Sequence, residues 1–165
     1  MKMMRTICRV LGGVLMAAVI GLYAVLTVPG LLGYSSYSIV SGSMEPEIPV
    51  GSLVFAHRED PAQLAVGDVV VFVRGSSPVT HRVYENNTDE RELVTKGDAN
   101  EGEDPGKVPY PQVLGRVQLC VPHLGDLALI MSSRQGKLGA GSALLAAVLL
   151  LLVGRDADEE EGAES

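Results

Sequence analysis

Gly67-Asp68-Val69-Val70-Val71-Phe72-Val73 is the stretch that decides the fold. Gly-Asp is a turn signal, and the apolar, mainly β-branched run after it has the length and composition of a strand buried on both faces. Such a strand needs neighbours, and both flanks supply them. Upstream, Leu53-Val54-Phe55-Ala56 reads as one strand, and Tyr37-Ser38-Ile39-Val40 as another that leads into the turn Ser41-Gly42-Ser43-Met44-Glu45-Pro46. Pro46, Pro49 and Gly51 preclude a helix running through Met44. Downstream, Gly75-Ser76-Ser77-Pro78 ends the run. Val79-Thr80-His81-Arg82-Val83-Tyr84 then begins a strand whose alternation puts Val79, His81 and Val83 on one face. Asn86-Asn87-Thr88-Asp89 is a hairpin tip before the returning strand Glu92-Leu93-Val94-Thr95, and Val113 to Val121 is the last strand. Residues 96–106, rich in Gly, Asp, Asn and Pro, form a loop. The expected fold is mainly β, a compact antiparallel sheet.

The two ends of the 165-residue chain differ from this middle. No charged side chain occurs from Val10 to Met44, and residues 10–32 are long enough, at about 1.5 Å per residue, to cross a hydrocarbon layer of about 30 Å. The run exceeds the roughly 7 to 15 apolar residues of a cleavable signal, and no Ala-x-Ala site follows it. Lys2, Arg5 and Arg9 precede it, which by the positive-inside tendency makes residues 1–9 a cytoplasmic terminus and carries residues 33–137 across the membrane. Within that domain, residues 124–131 read as a short interfacial helix. Residues 138–154 are again uncharged; shorter than the roughly 20 residues a helix needs, they span only with little tilt or with local thinning. Residues 155–165 are an acidic, disordered tail. The expected location is thus a cell membrane, with one or two spans.

The net charge of −7 is shared by the tail and the middle, so no basic face exists to attract nucleic acid. Cys8 and Cys120, on opposite sides of the expected membrane, cannot form a disulfide. No Cys/His cluster suggests zinc, and Glu101-Gly102-Glu103-Asp104 lacks the spacing of a calcium loop, so no metal or cofactor is expected. Asn86-Asn87-Thr88 fits a glycosylation sequon, a match that is common by chance.

Ser41-Gly42-Ser43 supplies two hydroxyls around a glycine that lets a substrate backbone approach. In most chains the same tripeptide is only a turn. If Ser43 attacks an amide, its own N–H and the Ser41 hydroxyl are the available oxyanion donors, and a base must take its proton. His81 suits that task, while His57, beside Arg58-Glu59, and His123, after a proline, read as structural. The loop offers several carboxylates to orient the base, and spacing does not choose between Asp98 and Asp104.

Ser41-Gly42-Ser43-Met44-Glu45-Pro46, Gly67-Asp68-Val69-Val70-Val71-Phe72, Thr80-His81-Arg82-Val83 and Thr95-Lys96-Gly97-Asp98-Ala99-Asn100 occur in this order. The set resembles type I signal peptidases, in particular the endoplasmic-reticulum and archaeal branch also found in some Gram-positive bacteria. The resemblance implies a membrane-bound serine endopeptidase on a signal-peptidase/LexA-like β domain, acting on signal-peptide-bearing preproteins at the bilayer in association with the export machinery. It implies Ser43 as nucleophile, Ser41 in the oxyanion hole and His81 where the ordinary bacterial branch has a lysine. Asp98 and Asp104 both match acidic positions of the family, and Ala99 stands where Asn is frequent. Two alternatives compete: a LexA-like self-cleaving protease with Lys96 as its base, and a non-enzymatic anchored β domain.

Overall fold

The computed structural model describes residues 2–162, with the side chains of Lys2 and of residues 155–162 left aside. Residues 28–129 form one unit and residues 2–27 with 130–162 another. The first holds seven strands: β1 Tyr34–Ser38, β2 Leu53–His57, β3 Val69–Arg74, β4 Ser77–Asn87, β5 Glu92–Lys96, β6 Val108–Pro109 and β7 Val113–Val121. They make one sheet in the order β1-β2-β7-β3-β4-β5-β6, with every pairing antiparallel.

The valine run explains this layout. Val70, Val71 and Phe72 are fully buried in β3, the middle strand. Because side chains alternate, the run feeds two cores. Val70 and Phe72 pack with Leu64, Val83, Leu93 and Val108, while Val71 joins Ile39, Met44, Ile48, Val54 and Ala56. At about 1.5–3 kcal/mol for each large apolar side chain fully buried, these clusters hold the sheet from both sides. Gly75-Ser76 is a two-residue hairpin turn between β3 and β4, and φ of +66° at Gly75 is the left-handed geometry such turns require.

Three departures from the sequence reading have physical causes. β1 starts at Tyr34, because the polar run Tyr34-Ser35-Ser36-Tyr37 finds its backbone partners on β2 despite having no apolar period. Ile39 and Val40 lie beyond it, and Ile39 N–H and C=O close the neck of the next loop on Ser52 and Gly51. One turn of 3₁₀ helix, Gly42–Met44, follows, and it ends before Pro46. The two-residue β6 is too short to leave a pattern.

Asn86 has work that leaves its amide unavailable to a sugar. Its Nδ2 donates to the carbonyls of Pro61 and Leu64 at 2.9 and 2.8 Å, and its Oδ1 accepts from Tyr110 Oη at 2.5 Å. Asn86→Ala is expected to lower unfolding free energy by about 2 kcal/mol, since a typical net hydrogen bond contributes about 1 kcal/mol and one buried hydroxyl loses its partner. Denaturant melts of the two chains check it.

The helices are α1 Lys2–Leu31, α2 Leu124–Ser132 and α3 Arg134–Gly162. The stretches Met3–Leu31 and Arg134–Gly154, whose most apolar 18-residue windows have mean hydropathies of 2.3 and 2.0, are long and apolar enough to cross a membrane. α3 therefore begins ahead of the expected 138–154 span and continues as helix through 155–162, a stretch read from sequence as disordered; residues 163–165 of that tail lie outside the described residues. α1 and α3 touch: a Cβ at Gly12 would stand 2.9 Å from the Ala147 carbonyl oxygen, and an Arg9 guanidinium nitrogen donates to the Gly154 carbonyl at 2.8 Å. The interfacial helix read over 124–131 corresponds to α2, whose Asp126 is exposed.

Candidate active site

Ser43 sits on the 3₁₀ turn, and the residue after it fixes that turn in space. Met44 is buried to 1% exposure among Ile39, Ile48, Val54 and Val71, so the turn is pinned to the core by its own side chain. A backbone bond from Glu45 N–H to Gly42 C=O closes it at 3.0 Å. Ser41 occupies the position before the turn in extended conformation, yet its hydroxyl makes no capping hydrogen bond; it lies 3.4 Å from Ser43 Oγ. The first N–H groups of any helical turn have no partner within it, and the N–H at Ser43 is one of these.

His81 comes from β4, opposite Val70 in register and on the same face as Val83. Its ring is buried, edge-on to Phe72 with centroids 6.3 Å apart. Nε2 lies 3.0 Å from Ser43 Oγ, and Nδ1 lies 2.5 Å from Asp104 Oδ2. An ionised carboxylate only accepts, so Nδ1 carries the proton and Nε2 is left free to receive one from the serine. Asp104, with a side chain only 3% exposed, lies in the loop between β5 and β6. Its N–H donates to Thr95 C=O at 2.8 Å and its Oδ2 accepts from Thr95 Oγ1 at 2.7 Å. Arg74 stands 3.6 Å from the same oxygen, with its guanidinium over the Phe72 ring.

The two carboxylates left open by spacing are thus placed differently. Asp104 reaches the imidazole, whereas Asp98 is taken by Arg82, whose Nε and a terminal nitrogen donate to its two oxygens at 2.8 and 2.6 Å. Those hydrogen bonds hold the Arg82 guanidinium pKa above its ordinary value, against the opposing effect of burial. Alternation explains the split. Arg82 follows His81 and points to the other face, where its cross-strand partner is Lys96. Arg82, Lys96 and Asp98 line a separate hollow of about 240 Å³ whose lining does not include Ser43. His57 meets Tyr34 edge-on with ring centroids 5.2 Å apart, and His123 is an exposed turn residue with φ of 62°.

The loop that carries Asp98 also buttresses the serine: Ala99 N–H donates to Ser43 C=O at 2.9 Å. Only the backbone of Ala99 is used and its side chain is exposed, which explains why this position does without the common Asn. Sequence reading assigned no part to Thr95 or Arg74. The signal for Thr95 was there in the β5 alternation, which puts it with Leu93 on the buried face.

Hydroxyl, imidazole and carboxylate line up beside a cleft of about 340 Å³ whose walls include Ile39, Val40, Met44, Val79 and Arg74. This arrangement can move a proton off a serine at the wall of an open cleft.

No family model matches the chain. Among curated proteins, it is 37% identical over 108 residues to the signal peptidase complex catalytic subunit SEC11C of Homo sapiens, covering 57% of this chain and 55% of that one. It is 38% identical over 84 residues to signal peptidase I W of Bacillus subtilis, covering 48% and 44%, and 33% identical over 106 residues to SEC11 of Scheffersomyces stipitis, covering 57% and 63%. The chain spans about half the length of the curated relatives it matches. These relatives, from an animal, a yeast and a Bacillus, all carry signal peptidase in their names, and it is to signal peptidases that this chain is similar over about half of its length.

Proposed function

We propose that the chain is a membrane-anchored serine endopeptidase that removes signal peptides from exported preproteins. The observation that carries this reading is the continuous relay from Ser43 Oγ through His81 to Asp104, with contacts of 3.0 and 2.5 Å. In the mechanism, His81 Nε2 takes the Ser43 proton as Oγ attacks the carbonyl carbon before the cut. The oxyanion receives the Ser43 N–H and the Ser41 hydroxyl, which is free to turn toward it because it caps nothing. His81 then gives its proton to the leaving amine, and an acyl ester on Ser43 remains. Water attacks this ester with Nε2 again as base, releasing the acid and restoring the hydroxyl. Asp104 holds the tautomer and balances the imidazolium charge.

The substrate is a preprotein whose extended segment lies in the cleft beside Val40 and Val79, adding to the strand edge and offering small side chains before the cut. α1 and α3 cross the bilayer, with the amino terminus in the cytoplasm and the β unit outside. Tethering enzyme and preprotein to one surface raises their effective concentration, and it places the enzyme where the export machinery delivers its substrate.

Incubation of the purified chain, in detergent or vesicles, with a labelled preprotein tests this. The wild type is expected to release a shortened product whose new amino terminus lies just after a small residue. A wild-type chain that leaves every preprotein intact overturns the proposal.

A further inference from the structure

Thr95 has no place in the relay just described, yet it is fully buried and both of its polar ends meet Asp104. Its carbonyl accepts the Asp104 N–H, and its hydroxyl donates to Oδ2, the oxygen that faces His81 Nδ1. The first bond folds the loop back onto β5 at Asp104; the second sets how the carboxylate is turned. We infer that Thr95 is a positioning residue, whose hydroxyl locks Asp104 in the rotamer that offers Oδ2 to His81. The inference rests on the serine-protease reading above and adds to it the control of the relay's third member.

The chemistry is specific to a donor at this point. With Thr95 Oγ1 and His81 Nδ1 both donating to it, Oδ2 is held as an ionised acceptor, and its lone pairs are satisfied in a site that excludes water. Arg74 adds a cation at 3.6 Å, but its side chain is 36% exposed and its distance is beyond a hydrogen bond, so it contributes charge rather than direction. Without the Thr95 hydroxyl, the carboxylate is free to rotate about its side-chain bond. The imidazole then loses its fixed orientation toward Ser43, a geometric fault that lowers turnover while leaving substrate binding intact.

The test uses the full chain and a labelled preprotein, with Thr95→Val as the near-isosteric variant without a donor and Thr95→Ser as the variant that keeps it. Thr95→Val is expected to lower kcat about ten- to hundredfold, the range for losing a hydrogen bond to a charged group, with KM unchanged within about twofold. Thr95→Ser is expected to stay within about threefold of wild type. In an Asp104→Asn background, Thr95→Val should cost no more than about twofold further, because there is then no carboxylate to orient. A folded Thr95→Val chain with wild-type kcat overturns the inference. So does an equal loss in Thr95→Ser, an equal loss in the Asp104→Asn background, or unfolding of Thr95→Val in a thermal melt. Failure of the wild type to cleave any preprotein is a different result, and it overturns the protease reading itself.

Discussion

Asp104→Asn is expected to leave a folded chain almost as inactive as Ser43→Ala, with kcat down about ten-thousandfold, the loss known when an orienting aspartate becomes an amide in such a relay. Asparagine keeps the size and hydrogen-bonding reach of the side chain. It can, however, turn its NH₂ toward His81 Nδ1, so the imidazole must place its proton on Nε2, where it faces Ser43 instead of accepting from it. Asp98→Asn is the matched control, since it changes the same kind of group a few residues away. Its partner is Arg82, at 2.8 and 2.6 Å on the opposite face, so its loss weakens an ion pair that is partly screened. That variant is expected to lose about 1–2 kcal/mol of stability and no more than about tenfold in kcat. Steady-state processing and a denaturant melt on each variant separate the two. Equal kinetic losses at both positions would remove Asp104 from its proposed role.

Gly97→Ala is expected to lower kcat at least about a hundredfold and to destabilise the chain by about 1–3 kcal/mol, although Gly97 touches no substrate. The reason is space rather than backbone freedom. A Cβ at this buried position would lie 2.6 Å from the Ser43 carbonyl oxygen and 2.7 Å from Asn100 Nδ2. The Asn100 amide can swing away, but the carbonyl belongs to Ser43's own peptide unit. Relieving the clash means moving that unit, which breaks the Ala99 N–H bond to it and pulls Oγ off the 3.0 Å contact with His81. Processing rates and thermal melts measure both effects. A Gly97→Ala chain with wild-type turnover would mean that the loop and the serine turn are not coupled as the packing implies.

Where a residue's neighbours in sequence determine its surroundings, the amino acids alone were informative. The β-branched run at Val69 made a central strand inevitable, and strict alternation put His81 on the buried face with Val83. Where the surroundings come from elsewhere in the chain, they were not. The loop carries Asp98, Glu101, Glu103 and Asp104 with no period, and only the closure of Thr95 on Asp104 turns one of them inward. Tyr34-Ser35-Ser36-Tyr37 has no apolar rhythm and becomes a strand because β2 has an open edge beside it. The position of β7 was equally hidden, since hydrophobic pattern reports that a strand exists and not whom it joins.

That last strand has a bearing on when the two halves of the relay are secured to one another. β7 lies between β2 and β3, so it stitches the ribbon bearing the serine turn to the ribbon bearing His81 and Asp104. A nascent chain that has not yet delivered residues 113–121 lacks the strand that hydrogen-bonds these ribbons into one sheet, and holds them together only by contacts such as Val71 on Met44 and the Ala99 N–H bond to Ser43. Synthesis order thus delivers last the strand that secures the hydroxyl's ribbon to the imidazole's.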